Sequence, residues 1–139
     1  MFKNILVALD GSEHALEAAR IARELATCLQ ADLWVVVAYE PLPSYLGEPV
    51  LQEAITTRLE QSEEILKSGL HEIGQFSGTM RTEILQGPPA EAILLVAEAR
   101  GIDLIIMGTR GLGRLAGLLV GSQSQKVVAH AQCPVLLVR

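Results

Sequence analysis

The sequence predicts a doubly wound α/β fold: a single domain on a five-stranded parallel sheet, with helices on both faces. Three observations carry this. Five short apolar bursts alternate along the chain with stretches of helical periodicity, which implies parallel strands joined by right-handed crossovers. Most of the bursts are continuously apolar, as strands covered on both faces must be. The 139 residues contain no internal repeat, low-complexity tract or dividing linker, so they make one domain large enough to bury a core.

Each element follows from local pattern. Residues 5–9 (ILVAL) read as a buried first strand. Ser12 is placed to cap a helix whose Ala15, Ala18, Ala19, Ala22, Leu25, Ala26 and Leu29 form one stripe, opposite Glu17, Arg20, Glu24 and Thr27. The valine-rich residues 33–38 make the second strand, and the prolines between 41 and 49 make a loop. Leu51, Ile55, Leu59, Ile65, Leu66, Leu70 and Ile73 are spaced as a long helix that frays near Gly69 or Gly74, with Glu60, Glu63 and Glu64 on its wet face. Residues 80–85 differ because polar and apolar side chains alternate, with Arg81 and Glu83 facing one way. That pattern suits an edge strand. Gly87-Pro88-Pro89 introduces a third helix carrying Ile93, Leu94 and Ala97 and closed at Gly101. Residues 104–107 form strand four, residues 122 to about 131 a last helix, and Pro134 opens strand five over 135–138.

Composition narrows the function classes. Half of the residues are hydrophobic and 19% are charged, which is globular and not disordered. A net charge of −5 argues against nucleic acid or an anionic lipid surface as partner. The apolar run near the N-terminus is too short for a signal peptide core or a membrane span. Cys28 and Cys133 lie far apart with no CxxC spacing, which reads as two buried thiols in a reduced, cytoplasmic protein. His14, His71 and His130 share no metal-ligand spacing and read as isolated surface or packing residues.

Chemistry is expected where open α/β sheets bind ligands, beyond the carboxyl ends of strands at the point where strand order reverses. Two such ends stand out: Asp10-Gly11-Ser12 after strand one and Met107-Gly108 after strand four. The second opens the stretch GTRGLGRLAGLLVGS, residues 108–122, with its five glycines. A P-loop needs GxxxxGK[ST], which is absent. The dinucleotide fingerprint GxGxx[GA] is matched by Gly111-Leu-Gly113-Arg-Leu-Ala116, but neither the later acidic residue nor a second βαβ half follows, and that reading is rejected. The wider spacing Gly108-x2-Gly111-x9-Gly121-Ser122 fits better. Gly108 and Gly111 would let the backbone approach a ribose or phosphate without a Cβ in the way. Ser122-Gln123-Ser124-Gln125 matches a capping box, whose free N–H groups favour an anion. Arg110 and Arg114 either add positive charge there or form a solvated loop face. Asp10 either contacts a ligand or braces its own turn.

At these residues the chain resembles the universal stress protein family, in its ATP-binding branch. The resemblance covers the whole chain: KNILVALDGSEHA at the start, DLIIMGTRG in the middle, VGSQSQKV and CPVLLV at the end. It implies the strand order 3-2-1-4-5 and a fold like that of the adenine nucleotide alpha hydrolases. By position it implies that Leu9, Asp10, Gly11 and Ser12 border an ATP molecule, with Asp10 at its ribose or phosphate side. Ala38 would meet the adenine edge, where a larger apolar residue is usual. Met107 and Gly108 would border the ribose, and Arg110, Gly111, Gly113, Gly121, Ser122, Gln123 and Ser124 would line the phosphates. SQSQ stands here in place of the family's common SVSE. Mg²⁺ would ride on the phosphates, with Asp10 as a possible ligand and no dedicated metal site. The implied order also puts the continuously apolar Val135–Val138 at an edge, which calls for cover by the same strand of a second copy. The resulting expectation is a cytoplasmic, homodimeric, ATP-binding regulator of stress response. A slow ATPase or phosphoryl-transfer enzyme is the alternative, although no general base stands out. A nucleotide-free interaction module is the other.

Overall fold

The computed structural model describes residues 1–109 and 121–139. They form β1 (Asn4–Leu9), α1 (Glu13–Leu29), β2 (Asp32–Tyr39), a 3₁₀ turn (Ser44–Leu46), α2 (Val50–Ile73), β3 (Met80–Gln86), α3 (Pro89–Ala99), β4 (Leu104–Gly108), α4 (Ser122–His130) and β5 (Val135–Val138). The strands pair parallel throughout, in the expected order β3-β2-β1-β4-β5.

The apolar runs are continuous because each strand feeds two cores. Ile5, Val7 and Leu9 of β1, Leu33, Val35 and Val37 of β2, and Leu104 and Ile106 of β4 face α1 and α2. The intervening Leu6, Ala8, Trp34, Val36, Ile105 and Met107 face α3 and α4. This is the period-two alternation of a pleated strand, with both faces covered. The buried stripe of α1 is all alanine, Ala15, Ala18, Ala19, Ala22 and Ala26, so its backbone lies close to the sheet. At the β3 edge, Arg81 and Arg100 lie over the Trp34 ring at 5.1 and 5.5 Å from its centroid. Their guanidinium groups also pair with Asp32 and Glu83 respectively. Of the charges that marked β3 as an edge strand, Arg81 thus covers the ring directly and Glu83 holds Arg100 beside it.

Two local expectations are corrected and one alternative is decided. Of the two glycines at which α2 was expected to fray, Gly74 (φ 66) is the one that ends it, and the helix passes through Gly69 to Ile73. A Cβ at position 69 would overlap Leu9 Cδ1, so that glycine serves close packing on β1. Leu29 is 42% exposed, because the chain turns away at Gln30 in the left-handed region, φ 55. The two cysteines are not both buried: Cys28 is exposed and Cys133 half-buried. Burial, and then the charge of Asp103, push the Cys133 thiol up from its ordinary value. A raised value means less thiolate at neutral pH, and the thiolate is the nucleophile. Iodoacetamide is therefore expected to label Cys28 well before Cys133, an order that mass spectrometry of timed digests reads directly. Among the described residues no helix is long and apolar enough to cross a membrane.

Candidate functional site

From β1 the chain proceeds to β2 and β3 on one side, while β4 and β5 lie on the other. The switch point therefore falls between β1 and β4, where a crevice must open beyond the strand ends. A cavity of about 250 Å³ lies there. Its apolar wall comes from the sheet: Ala8 of β1, Val36 and Ala38 of β2, and Met107 of β4. Ala8 and Val36 are register partners, and the small side chains at 8 and 38 leave room above them. Pro89 and Ile93 of α3 close one side, and Gly121, Ser122, Gln123 and Ser124 at the start of α4 close another.

On the β1 side, Asp10 lines the cavity and is exposed. Its Oδ1 accepts from the Ser12 N–H at 2.9 Å, so the side chain does brace its own turn with one oxygen. Ser12 caps α1 as expected, its Oγ accepting from the Ala15 N–H at 3.2 Å. Gly11, at φ 87, supplies a conformation that side chains avoid. Gly11 and Ser12 shape the loop but do not line the cavity, whereas Leu9 does.

The α4 side departs from the expected capping box. The cap residue is Gly121 (φ −67, ψ 159), with no side-chain cap hydrogen bond, and Ser122 is exposed in the first helical turn. Gln123 Oε1 accepts from the Ala90 N–H at 3.0 Å and ties α4 to the start of α3. The buried Ser124 Oγ donates to the Gly108 carbonyl at 2.8 Å and ties α4 to β4. These two side chains are engaged in holding the helix in place. The first-turn N–H groups have no intrahelical acceptor, and they carry the positive end of the helix dipole. Among the described lining residues, Asp10 is the one charged side chain.

Gly108 lines the cavity, but its missing Cβ serves another contact. A Cβ there would sit 2.7 Å from His14 Cβ and 3.0 Å from the Ala15 nitrogen. The glycine lets the start of α1 seat on the end of β4, so its small size is not spent on a ligand approach. Of the other expected residues, Arg110, Gly111 and Gly113 lie outside the described residues, as does Arg114. Ala8, Ala15, Val36, Pro89 and Ile93 line the cavity without having been singled out. Strand alternation already places Ala8 and Val36 on the same face as Ala38. The arrival of α3 depends on long-range packing and left no local signal. Among the described residues no group of three His, Cys, Asp or Glu side chains could hold a metal ion.

An open parallel sheet of this order, with its cavity at the β1/β4 switch point, defines a small α/β protein of the UspA-like fold. The Universal stress protein family model matches residues 1–139, and the chain belongs to that family. It is 53% identical to the universal stress protein in the QAH/OAS sulfhydrylase 3'region of Thermus aquaticus, over the full length of both chains. Among solved structures it is similar to the universal stress protein UspA from Lactobacillus plantarum, with TM-score 0.88, 29% identity, and 99% and 98% of the two chains covered. A universal stress protein in complex with cAMP superimposes at TM-score 0.66 with 25% identity, covering 99% and 97% of the chains.

Proposed function

We propose that this chain binds an adenine mononucleotide in the switch-point crevice, with ATP as the ligand, and works as a homodimeric cytoplasmic regulator in stress response. One observation carries the reading. The start of α4 and the Asp10 turn flank a cavity whose wall is a flat apolar strip, so a planar base and an anionic tail have matching surfaces. Ala38 and Val36 suit the adenine, and Met107 and Gly108 the ribose. Since Gln123 Oε1 and Ser124 Oγ are engaged by Ala90 and Gly108, phosphate oxygens fall to the first-turn N–H groups and the Ser122 hydroxyl. Mg²⁺ fits as a passenger of the phosphates, neutralising their charge, with the second Asp10 oxygen available to it.

The neighbour solved with cAMP supports a second reading, in which a nucleoside monophosphate is the preferred ligand. Titration calorimetry with ATP, ADP, AMP, cAMP and NAD separates the two. Affinity rising with phosphate number supports ATP, and preference for AMP or cAMP supports the second reading. Phosphate release above that of a Gly121→Val control would make the protein a slow ATPase. No binding of any nucleotide would leave an interaction module and end the proposal.

The dimer is argued from the edge of the sheet. β5 is uncharged along its length and exposes Leu136 at 37%, a condition that edge strands normally avoid. Antiparallel pairing of Val135–Val138 with the same strand of a second copy would cover it about a two-fold axis. Sedimentation at micromolar concentration is expected to give twice the chain mass, and Leu136→Lys to give the monomer. A wild-type monomer would sink the idea.

A further inference from the structure

We infer that His14 is a positioning residue of the crevice: its hold on Thr109 sets the separation of α1 and α4 across the end of β4. This rests on the nucleotide reading above. Thr109 is 6% exposed and follows directly on β4. Its N–H donates to the Val138 carbonyl at 2.8 Å, and its own carbonyl accepts from the Gly121 N–H, the cap of α4. One residue earlier, the Gly108 carbonyl accepts from Ser124 Oγ. The end of β4 is thereby bound to α4 twice and to β5 once. Among the described residues its side-chain hydrogen bond to α1 is His14 Nδ1 to Thr109 Oγ1, at 3.1 Å.

The physical need is specific. A buried hydroxyl left without a partner is destabilising, so Thr109 demands a polar neighbour, and a packing residue at position 14 would be apolar. Depending on the ring tautomer, Nδ1 accepts from or donates to the hydroxyl, and either satisfies the pair. Because Gly108 lets His14 seat against the strand, the contact fixes the first turn of α1 and, with it, the Asp10–Ser12 loop. That loop and the first turn of α4 are the two banks of the crevice. Hydrogen bonds to a ligand spanning them weaken when the banks move by a few tenths of an ångström. His14 thus belongs to the site, although spacing alone reads it as an isolated histidine.

The test combines calorimetry with ATP and AMP and amide hydrogen exchange, on His14→Ala, His14→Asn, Thr109→Val and the His14→Ala/Thr109→Val double variant. Each alanine or valine exchange is expected to weaken nucleotide binding roughly three- to tenfold, with the double variant no weaker than either single one. His14→Asn is expected to restore affinity, since its amide sits two bonds from Cβ, as Nδ1 does. Exchange at the Thr109 and Gly121 amides should quicken in both single variants and slow again in His14→Asn. Unchanged affinity in His14→Ala, additive losses in the double variant, or failure of His14→Asn to restore binding each overturn the inference. If the wild-type protein binds no nucleotide, the function proposed above fails, and unchanged exchange at Gly121 then overturns the His14 assignment separately.

Discussion

Gly108→Ala is expected to destabilise the fold by about 1–2 kcal/mol, the reverse of its effect in an open strand. Alanine in place of glycine in an unhindered strand stabilises by about 0.5–1 kcal/mol, because the unfolded chain loses freedom. Here the added methyl lands 2.7 Å from His14 Cβ and 3.0 Å from both the Ala15 nitrogen and the His14 carbonyl carbon. Those are helix atoms that cannot swing aside as a side-chain tip can. Overpacking of this kind costs about 1–3 kcal/mol and outweighs the entropic gain. Urea unfolding should show a lower midpoint with an unchanged slope. A raised midpoint would mean that α1 does not seat on β4 so closely. Since the methyl pushes the His14 turn away from Thr109, nucleotide affinity should fall as well, and by more than in His14→Ala.

Gly121→Val is expected to abolish nucleotide binding while leaving the fold largely intact. The backbone of Gly121 is extended, φ −67 and ψ 159, a conformation open to any residue, and valine favours it. The structural penalty is therefore small, and far-UV circular dichroism and the thermal midpoint should change little. The cavity is affected much more. Gly121 lines it at the cap of α4, where a phosphate must come within about 2.9 Å of the first-turn N–H groups to be bound. A branched side chain holds the anion off those donors. Calorimetry with ATP should show no measurable heat of binding. Wild-type affinity in this variant would move the phosphate site away from α4.

Sequence legibility differed between the sheet and the site. The continuous runs of β1, β2 and β4 were readable because burial on both faces leaves no polar position in a strand. β3 was readable as an edge for the opposite reason, since Arg81 and Glu83 could not stand inside a sheet. Strand ends carry turn chemistry, so Asp10 and Gly108 were visible as crevice residues. Their partners were not. The resemblance implied that Gln123 and Ser124 line the phosphates, and the structure employs their side chains to fasten α4 to Ala90 and Gly108. Gly69 and Gly74 looked alike as places for the helix to fray, and it passes through Gly69 because Leu9 fills the space of the missing side chain. In both cases the deciding neighbour is distant in sequence, and local pattern carries no record of it.

By itself, then, the sequence determined the element order and the two-faced burial of the central strands, and marked the ends of β1 and β4 as candidate edges of a crevice. These follow from periodicity and from glycine and proline, which act within a few residues. The tertiary structure alone decided which polar atoms are committed and which glycines are spent on packing. It also decided that His14, from the first turn of α1, meets Thr109 at the end of β4, 95 positions further along the chain. The reason is physical: hydrogen bonds and van der Waals contacts are settled over a few ångströms of space, and chain distance does not enter.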